Sequence, residues 1–232
     1  MQQTGTALDT AAVIRAAAAL GRELSPPQAV VLTGYLDLLC RWRRKINLVG
    51  PTDWPTMLSG LVADSWHLAD FLAGPKAGAV LPPPGAPLCL LDFGAGAGLP
   101  GIPLRAFYPG GEYVLLESRV KRAIFLGEAV DRLELPATFV AEGRVEVTVP
   151  PIMAARPGVF TLCLGRAFAP WPQFLELCRT LVPAPMAVLA MTGQAPEAAA
   201  VPPDFALAAA ADYPAPGGQR YLLLFIPKAA SR

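Results

Sequence analysis

The stretch LLDFGAGAGLPG, Leu90 to Gly101, decides how the rest of the chain is read. It leads from an apolar segment, Leu88–Phe93, into three alternate glycines and then into Pro100–Phe107, which suits a helix. A strand that turns this tightly into a helix needs residues without a Cβ, so that the backbone can bend and approach a ligand. Gly94, Gly96 and Gly98 meet that need, and the helix behind them offers unpaired N–H groups. Asp92, at the carboxyl end of the strand, falls where open α/β sheets hold their ligands.

Downstream of this turn, apolar runs and amphipathic segments alternate. The spacing predicts strands at Tyr113–Glu117, Thr138–Ala141, Val159–Leu164 and Met186–Met191, and a late apolar run at Tyr221–Ile226. Helices are expected at Val120–Leu133 and Trp171–Leu181. Strands joined through helices require crossover connections, hence a doubly wound, mostly parallel sheet covered on both faces. Upstream, an alanine-rich helix spans Ala11–Arg22. A second starts at Ser25 with Pro26 in its first turn and presents Val31, Tyr35, Leu38, Leu39 and Trp42 on one face. A third is expected over Thr56–Leu72, followed by a segment rich in glycine and proline from Gly74 to Pro87. The chain therefore reads as a small N-terminal helical extension (residues 1–74), a connector (75–87) and an α/β domain (88–232).

Composition narrows the class. Of 232 residues, 53% are apolar and only 16% charged, so a packed core is expected and a disordered, solvating chain is excluded. No apolar run is long enough to span a bilayer, and Met1–Thr10 lacks the basic start and apolar stretch of a secretory signal, which makes the cytoplasm the expected address. Cys40, Cys89, Cys163 and Cys178 have no paired spacing and read as reduced thiols, mostly in the core, and no metal site is expected. The net charge of +1 provides no global pull on a polyanion, so nucleic-acid binding would need a local basic patch. His67, the single histidine, sits in an apolar helical stretch and reads as packing.

Gly96, Gly98 and Gly101 satisfy the GxGxxG dinucleotide fingerprint, which argues for an NAD-dependent oxidoreductase. In that fingerprint the first glycine directly follows the strand, whereas here the match begins well past Asp92 and contains Pro100. An acidic residue followed by GxGxG, the form found in methyltransferases that use S-adenosylmethionine, fits in register. Glu117, closing the second strand in VLLES, stands about where a carboxylate reaches the hydroxyls of an adenosine ribose.

Across nearly its whole length the chain resembles the RsmG, or GidB, family of small-subunit ribosomal RNA guanine-N7 methyltransferases. RWRRKINLVG (Arg41–Gly50) is similar to the family's W-N-K-x-x-N-L segment. ADS (Ala63–Ser65), the glycine turn with LPGIPL (Leu99–Leu104), LLESRVKRAIFL (Leu115–Leu126), EGRVE (Glu142–Glu146) and GRAFAP (Gly165–Pro170) follow in family order. The resemblance implies a Rossmann-like class I methyltransferase fold. It carries over Gly94 and Leu99 in the turn, Val145 and Glu146 beside the adenine, and Arg166 after the fourth strand as cofactor-binding positions, with Arg166 also the one possible catalytic residue. Because N7 of guanine carries no proton, the expected chemistry is in-line methyl transfer by alignment and electrostatics, without a general base.

The chain departs from the family's pattern at several polar positions: Gly60 and Leu61 replace an Arg-His pair, Arg43 an asparagine, Gly165 a serine and Thr192 a lysine. Arg41, Arg43, Arg44, Lys45, Arg119, Lys121 and Arg122 are expected to form a phosphate-binding rim for ribosomal RNA or the small subunit. The protein is expected to act as a monomer without a protein partner. A noncatalytic RNA- or ribosome-binding relative of the methyltransferases is the further alternative.

Overall fold

The computed structural model describes residues 8–183 and 185–228. The uncharged start of the chain, on which the expected lack of a leader partly rests, lies outside them up to Ala7.

Three helical segments come first. α1 (Thr10–Ala19) is capped by the Asp9 carboxylate, which accepts from the Ala11 N–H at 3.0 Å. α2 (Pro26–Trp42) begins as expected at Ser25, whose N–H donates to the Gln28 side chain at 2.9 Å. The third helix is not uniform. α3 (Trp54–Met57) passes through a wide π turn at Leu58–Val62 into α4 (Ala63–Ala73), and the short α5 (Pro75–Gly78) lies in the connector.

The remaining elements alternate: β1 (Leu88–Phe93), α6 (Gly101–Phe107), β2 (Glu112–Glu117), α7 (Val120–Arg132), β3 (Thr138–Glu142), α8 (Val145–Ala154), β4 (Phe160–Arg166), α9 (Trp171–Leu181), β5 (Met186–Thr192), β6 (Phe205–Ala215) and β7 (Gly218–Pro227). They build one seven-stranded sheet in the order β3-β2-β1-β4-β5-β7-β6. β1 through β5 pair in parallel, while β7 runs antiparallel to both β5 and β6, so it alone is reversed. Besides the short α5 in the connector, α8 and β6 were not expected from the sequence.

Strand alternation sorts the core into two layers. Leu90, Leu115, Leu162, Leu189 and Leu224 face one side, in an apolar cluster that also contains Leu32, Tyr35 and Leu36 of α2, Leu68 of α4 and Ile102 of α6. Leu91, Phe93, Leu116, Cys163, Val188 and Phe225 face the other, against Val149 of α8 and Phe174 of α9. The N-terminal helices thus share one continuous core with the sheet. The strand order reverses between β1 and β4, which opens the crevice at their carboxyl ends where such sheets bind ligands.

Candidate active site

The glycine turn is held from several directions. The Ala95 N–H donates to the Leu116 carbonyl of β2 at 2.9 Å. The Tyr35 hydroxyl of α2 donates to the Ala97 carbonyl at 2.7 Å, and Ser65 of α4 to the Pro100 carbonyl at 3.0 Å. The glycines play different parts. A Cβ on Gly98 would come within 2.4 Å of Ile102 Cδ1, so this glycine serves close packing onto α6. Gly94, with φ +66°, lies under the Phe168 ring: a Cβ there would meet Phe168 Cδ2 at 2.6 Å.

Neither carboxylate at the strand ends faces the crevice as freely as expected. Asp92 is buried, accepts from the Tyr113 hydroxyl at 3.0 Å and sits against Gly101 at the start of α6, so it braces the turn from beneath. Burial pushes its carboxyl up to about 7, against the pull of Tyr113 and Arg166. Glu117 is also buried, and both its oxygens accept backbone N–H groups, from Gly96 at 2.9 Å and from Arg119 at 2.8 Å. Its neighbours Leu116 and Ser118, rather than Glu117 itself, line the adjacent cavity.

Three cavities meet at the carboxyl end of the sheet. One of about 180 Å³ lies between Ser118, Gly143, Arg144, Val145 and Glu146. A second, about 230 Å³, is bounded by Leu48, Leu61, Gly96, Leu99, Arg122 and Arg166. Gly94 borders both, so the carried-over residues Gly94, Leu99, Val145, Glu146 and Arg166, together with Gly96 of the turn, are gathered around one bend. The largest cavity, about 800 Å³, is not at the glycine turn but beside it, between the exits of β4 and β5, with Phe168, Trp171, Thr192, Gln194 and Arg220 on its walls. Arg166 borders the second and the largest cavity, and Phe168 the first and the largest. The Phe168 ring packs edge-on to Phe93 and Phe174, with centroids 5.8 Å away in each case.

Two residues to which the sequence assigned no part in the site, Asp64 and Leu61, hold Arg166. Its Nη2 lies 2.8 Å from Asp64 Oδ2, and its Nη1 donates to the Leu61 carbonyl at 3.4 Å. Asp64 Oδ1 accepts from the Tyr213 hydroxyl of β6 at 2.9 Å. His67 stacks on Tyr213 with centroids 4.2 Å apart, in the packing role expected for it, and burial lowers its pKa. ADS was visible as a motif, but its partner Tyr213 lies on a strand that the sequence did not announce. Gly165 is explained by Phe174, whose ring would be 2.6 Å from any Cβ at that position.

The basic residues divide. Arg41 pairs with Asp37, and Arg43 donates to the Thr52 carbonyl at 3.3 Å, with its Nε buried and unpartnered among the described residues. Trp42 donates to Glu128 of α7 at 3.0 Å and packs edge-on to Phe125, which brings the end of α2 against α7. Arg122 donates to the Asn47 carbonyl at 3.1 Å. Arg44 and Lys45, in the turn after α2, and Arg119 and Lys121, at the start of α7, are exposed beside this contact, next to the cavity that Arg122 borders. Among the described residues no cluster of side chains is suited to a metal ion.

A seven-stranded sheet with only β7 reversed, a glycine turn after β1 and a crevice at its exit define the class as a Rossmann-like class I methyltransferase fold. The fold is similar to that of the O-methyltransferase from Bacillus cereus in complex with SAH, at a TM-score of 0.52 and 14% identity, covering 94% of this chain and 97% of that one. The family is given by sequence. The GidB model, described as rRNA small subunit methyltransferase G, matches residues 28–210. Ribosomal RNA small subunit methyltransferase G of Nitratidesulfovibrio vulgaris is 41% identical over 201 residues, 87% of this chain and 86% of that protein. Its namesake in Lawsonia intracellularis is 46% identical over 158 residues, 68% of each. The chain belongs to the GidB family.

Proposed function

We propose that this protein uses S-adenosylmethionine to methylate N7 of a guanine in the 16S ribosomal RNA of the small subunit. The observation that carries the reading is the pair of small cavities on either side of Gly94, both opening beside the larger cavity at the β4 and β5 exits. A nucleoside joined to an amino acid suits that division. Val145 and Glu146 flank the base, Ser118 borders the ribose position while Glu117 behind it fixes the Gly96 and Arg119 N–H groups, and Leu99 and Arg166 border the amino-acid end. Gly94 must stay bare for a ligand to cross it, while Asp92 and Gly98 hold the turn in shape. The relatives named as ribosomal RNA small subunit methyltransferases support the acceptor.

When bound, S-adenosylmethionine supplies an electrophilic methyl group on a sulfonium. The chain's own task is alignment, because guanine N7 offers a lone pair without a proton to remove. The aromatic walls of the large cavity, Phe168 and Trp171, suit a base turned out of its stack, and Arg166 stands where an acceptor oxygen or a carboxylate needs a donor fork. Arg44, Lys45, Arg119, Lys121 and Arg122 supply phosphate contacts along α2 and α7, with Arg41 and Arg43 shaping the same rim. The protein acts in the cytoplasm, as a monomer. No helix among the described residues is long and apolar enough to cross a membrane.

The test is incubation with labelled S-adenosylmethionine and small-subunit particles, followed by borohydride and aniline scission, which cuts RNA at N7-methylguanine. A single labelled site that aniline cuts is the expected result. Label that resists scission would overturn the N7 assignment, and cofactor uptake without labelled RNA would favour the noncatalytic relative.

A further inference from the structure

We propose that Asp64 is the counter-charge that allows Arg166 to stand beside a cationic cofactor, which makes Asp64 a positioning residue for methyl transfer. This rests on the cofactor reading above and assigns a role to a residue on the N-terminal helices, outside the glycine turn.

The geometry ties three separate elements together. Asp64 projects from α4, just after the π turn, and is 3% exposed. Its Oδ2 lies 2.8 Å from Arg166 at the end of β4, and its Oδ1 takes the Tyr213 hydroxyl of β6 at 2.9 Å. Both oxygens are engaged, so the carboxylate has a fixed orientation. Tyr213 remains a donor, since burial and the charge of Asp64 raise its phenol. His67 stacks on Tyr213 and, with its pKa lowered by burial, adds no second cation at neutral pH.

A buried ion pair is a poor way to gain stability, because well-packed apolar residues of similar volume do as well or better. Its position suggests another use. Arg166 borders the same small cavity as Gly94 and Leu99, the cavity that the proposed function assigns to the amino-acid end of the cofactor and its sulfonium. An uncompensated guanidinium there would repel a sulfonium across a partly desolvated cleft. With Asp64 the pair is neutral as a whole, yet the guanidinium keeps N–H groups free for a carboxylate or an acceptor oxygen.

Binding separates this role from a merely structural one. S-adenosylmethionine carries the sulfonium and S-adenosylhomocysteine does not, so the ratio of their affinities reads the local charge and is blind to general loosening. By calorimetry, Asp64→Asn should weaken S-adenosylmethionine relative to S-adenosylhomocysteine by roughly ten-fold. The double variant Asp64→Asn/Arg166→Gln should return the ratio to near the wild-type value, and Asp64→Glu, which keeps the charge but alters the packing, should leave it there. Equal weakening of both ligands in Asp64→Asn, or a shifted ratio that persists without Arg166, would overturn the proposal. If the wild-type protein takes up neither ligand, the cofactor reading itself falls.

Discussion

Asp92 stands at the end of β1, where the sequence puts it, but turns its carboxylate onto Tyr113 instead of into the crevice. Its position at the end of β1 was legible, since it follows from the strand-glycine boundary. Its direction was not. Asp92 lies on the strand face shared with Leu90, and there it meets the Tyr113 hydroxyl, a partner supplied by β2. The consequence is a pH dependence. In the folded protein the Asp92 carboxyl titrates at about 7, against 3.8 when unburied, so between these values the folded state binds more protons than the unfolded one. Stability contributed by this group is present in acid and is lost as pH rises toward 7. Asp92→Asn, which keeps the acceptor for Tyr113 and removes the titration, should melt closest to wild type below pH 3.8 and increasingly above it as the pH rises to 7. Parallel melting curves against pH would contradict this. Gly94 is a poor test of ligand access, because a side chain there collides with Phe168 and is strained at positive φ before any ligand arrives.

Elements were legible where pattern and propensity agreed, and hidden where packing overrode propensity. α8 contains Val145, Val147, Thr148, Val149, Pro150 and Pro151, which all disfavour a helix, yet Val145, Val149 and Met153 recur at helical spacing and are buried. That spacing was the available signal. β6 is rich in alanine, a weak strand former, and is fixed by its pairing with β7 across a turn at Gly217. The segment after β4 sets a condition on ligand entry. Phe168 covers Gly94, held by edge contacts to Phe93 and Phe174, so a ligand crossing the turn must displace it. Removing the ring with Phe168→Ala should tighten S-adenosylhomocysteine binding about two- to ten-fold, the scale of such aromatic contacts. Weaker binding in calorimetry would show that the ring supports the ligand instead. In the turn after α2 and at the start of α7, Arg44→Ala and Lys121→Ala should each lower the slope of log K against log salt for RNA by about one. Arg43→Ala should chiefly lower the melting temperature, since Arg43 holds the Thr52 carbonyl. A salt slope unchanged in both surface variants would remove them from the rim.

At the scale of the molecule, the change of periodicity at the glycine- and proline-rich connector is what sets an expected helical extension apart from an expected α/β domain in the sequence. It could not show how the two are joined. Tyr35 and Ser65 hold carbonyls of the glycine turn, Asp64 holds Arg166, and one apolar cluster runs from α1 into the sheet. Residues 75–232 alone should therefore lose cooperative thermal unfolding in a calorimetric scan, and a sharp transition near that of the full chain would contradict this. The most direct measurement of all is a crystal structure with S-adenosylhomocysteine bound. The prediction is adenine density beside Val145, the amino-acid end beside Leu99 and Arg166, and the Phe168 ring withdrawn from Gly94. A ligand bound elsewhere, with Phe168 still seated on the glycine, would contradict it.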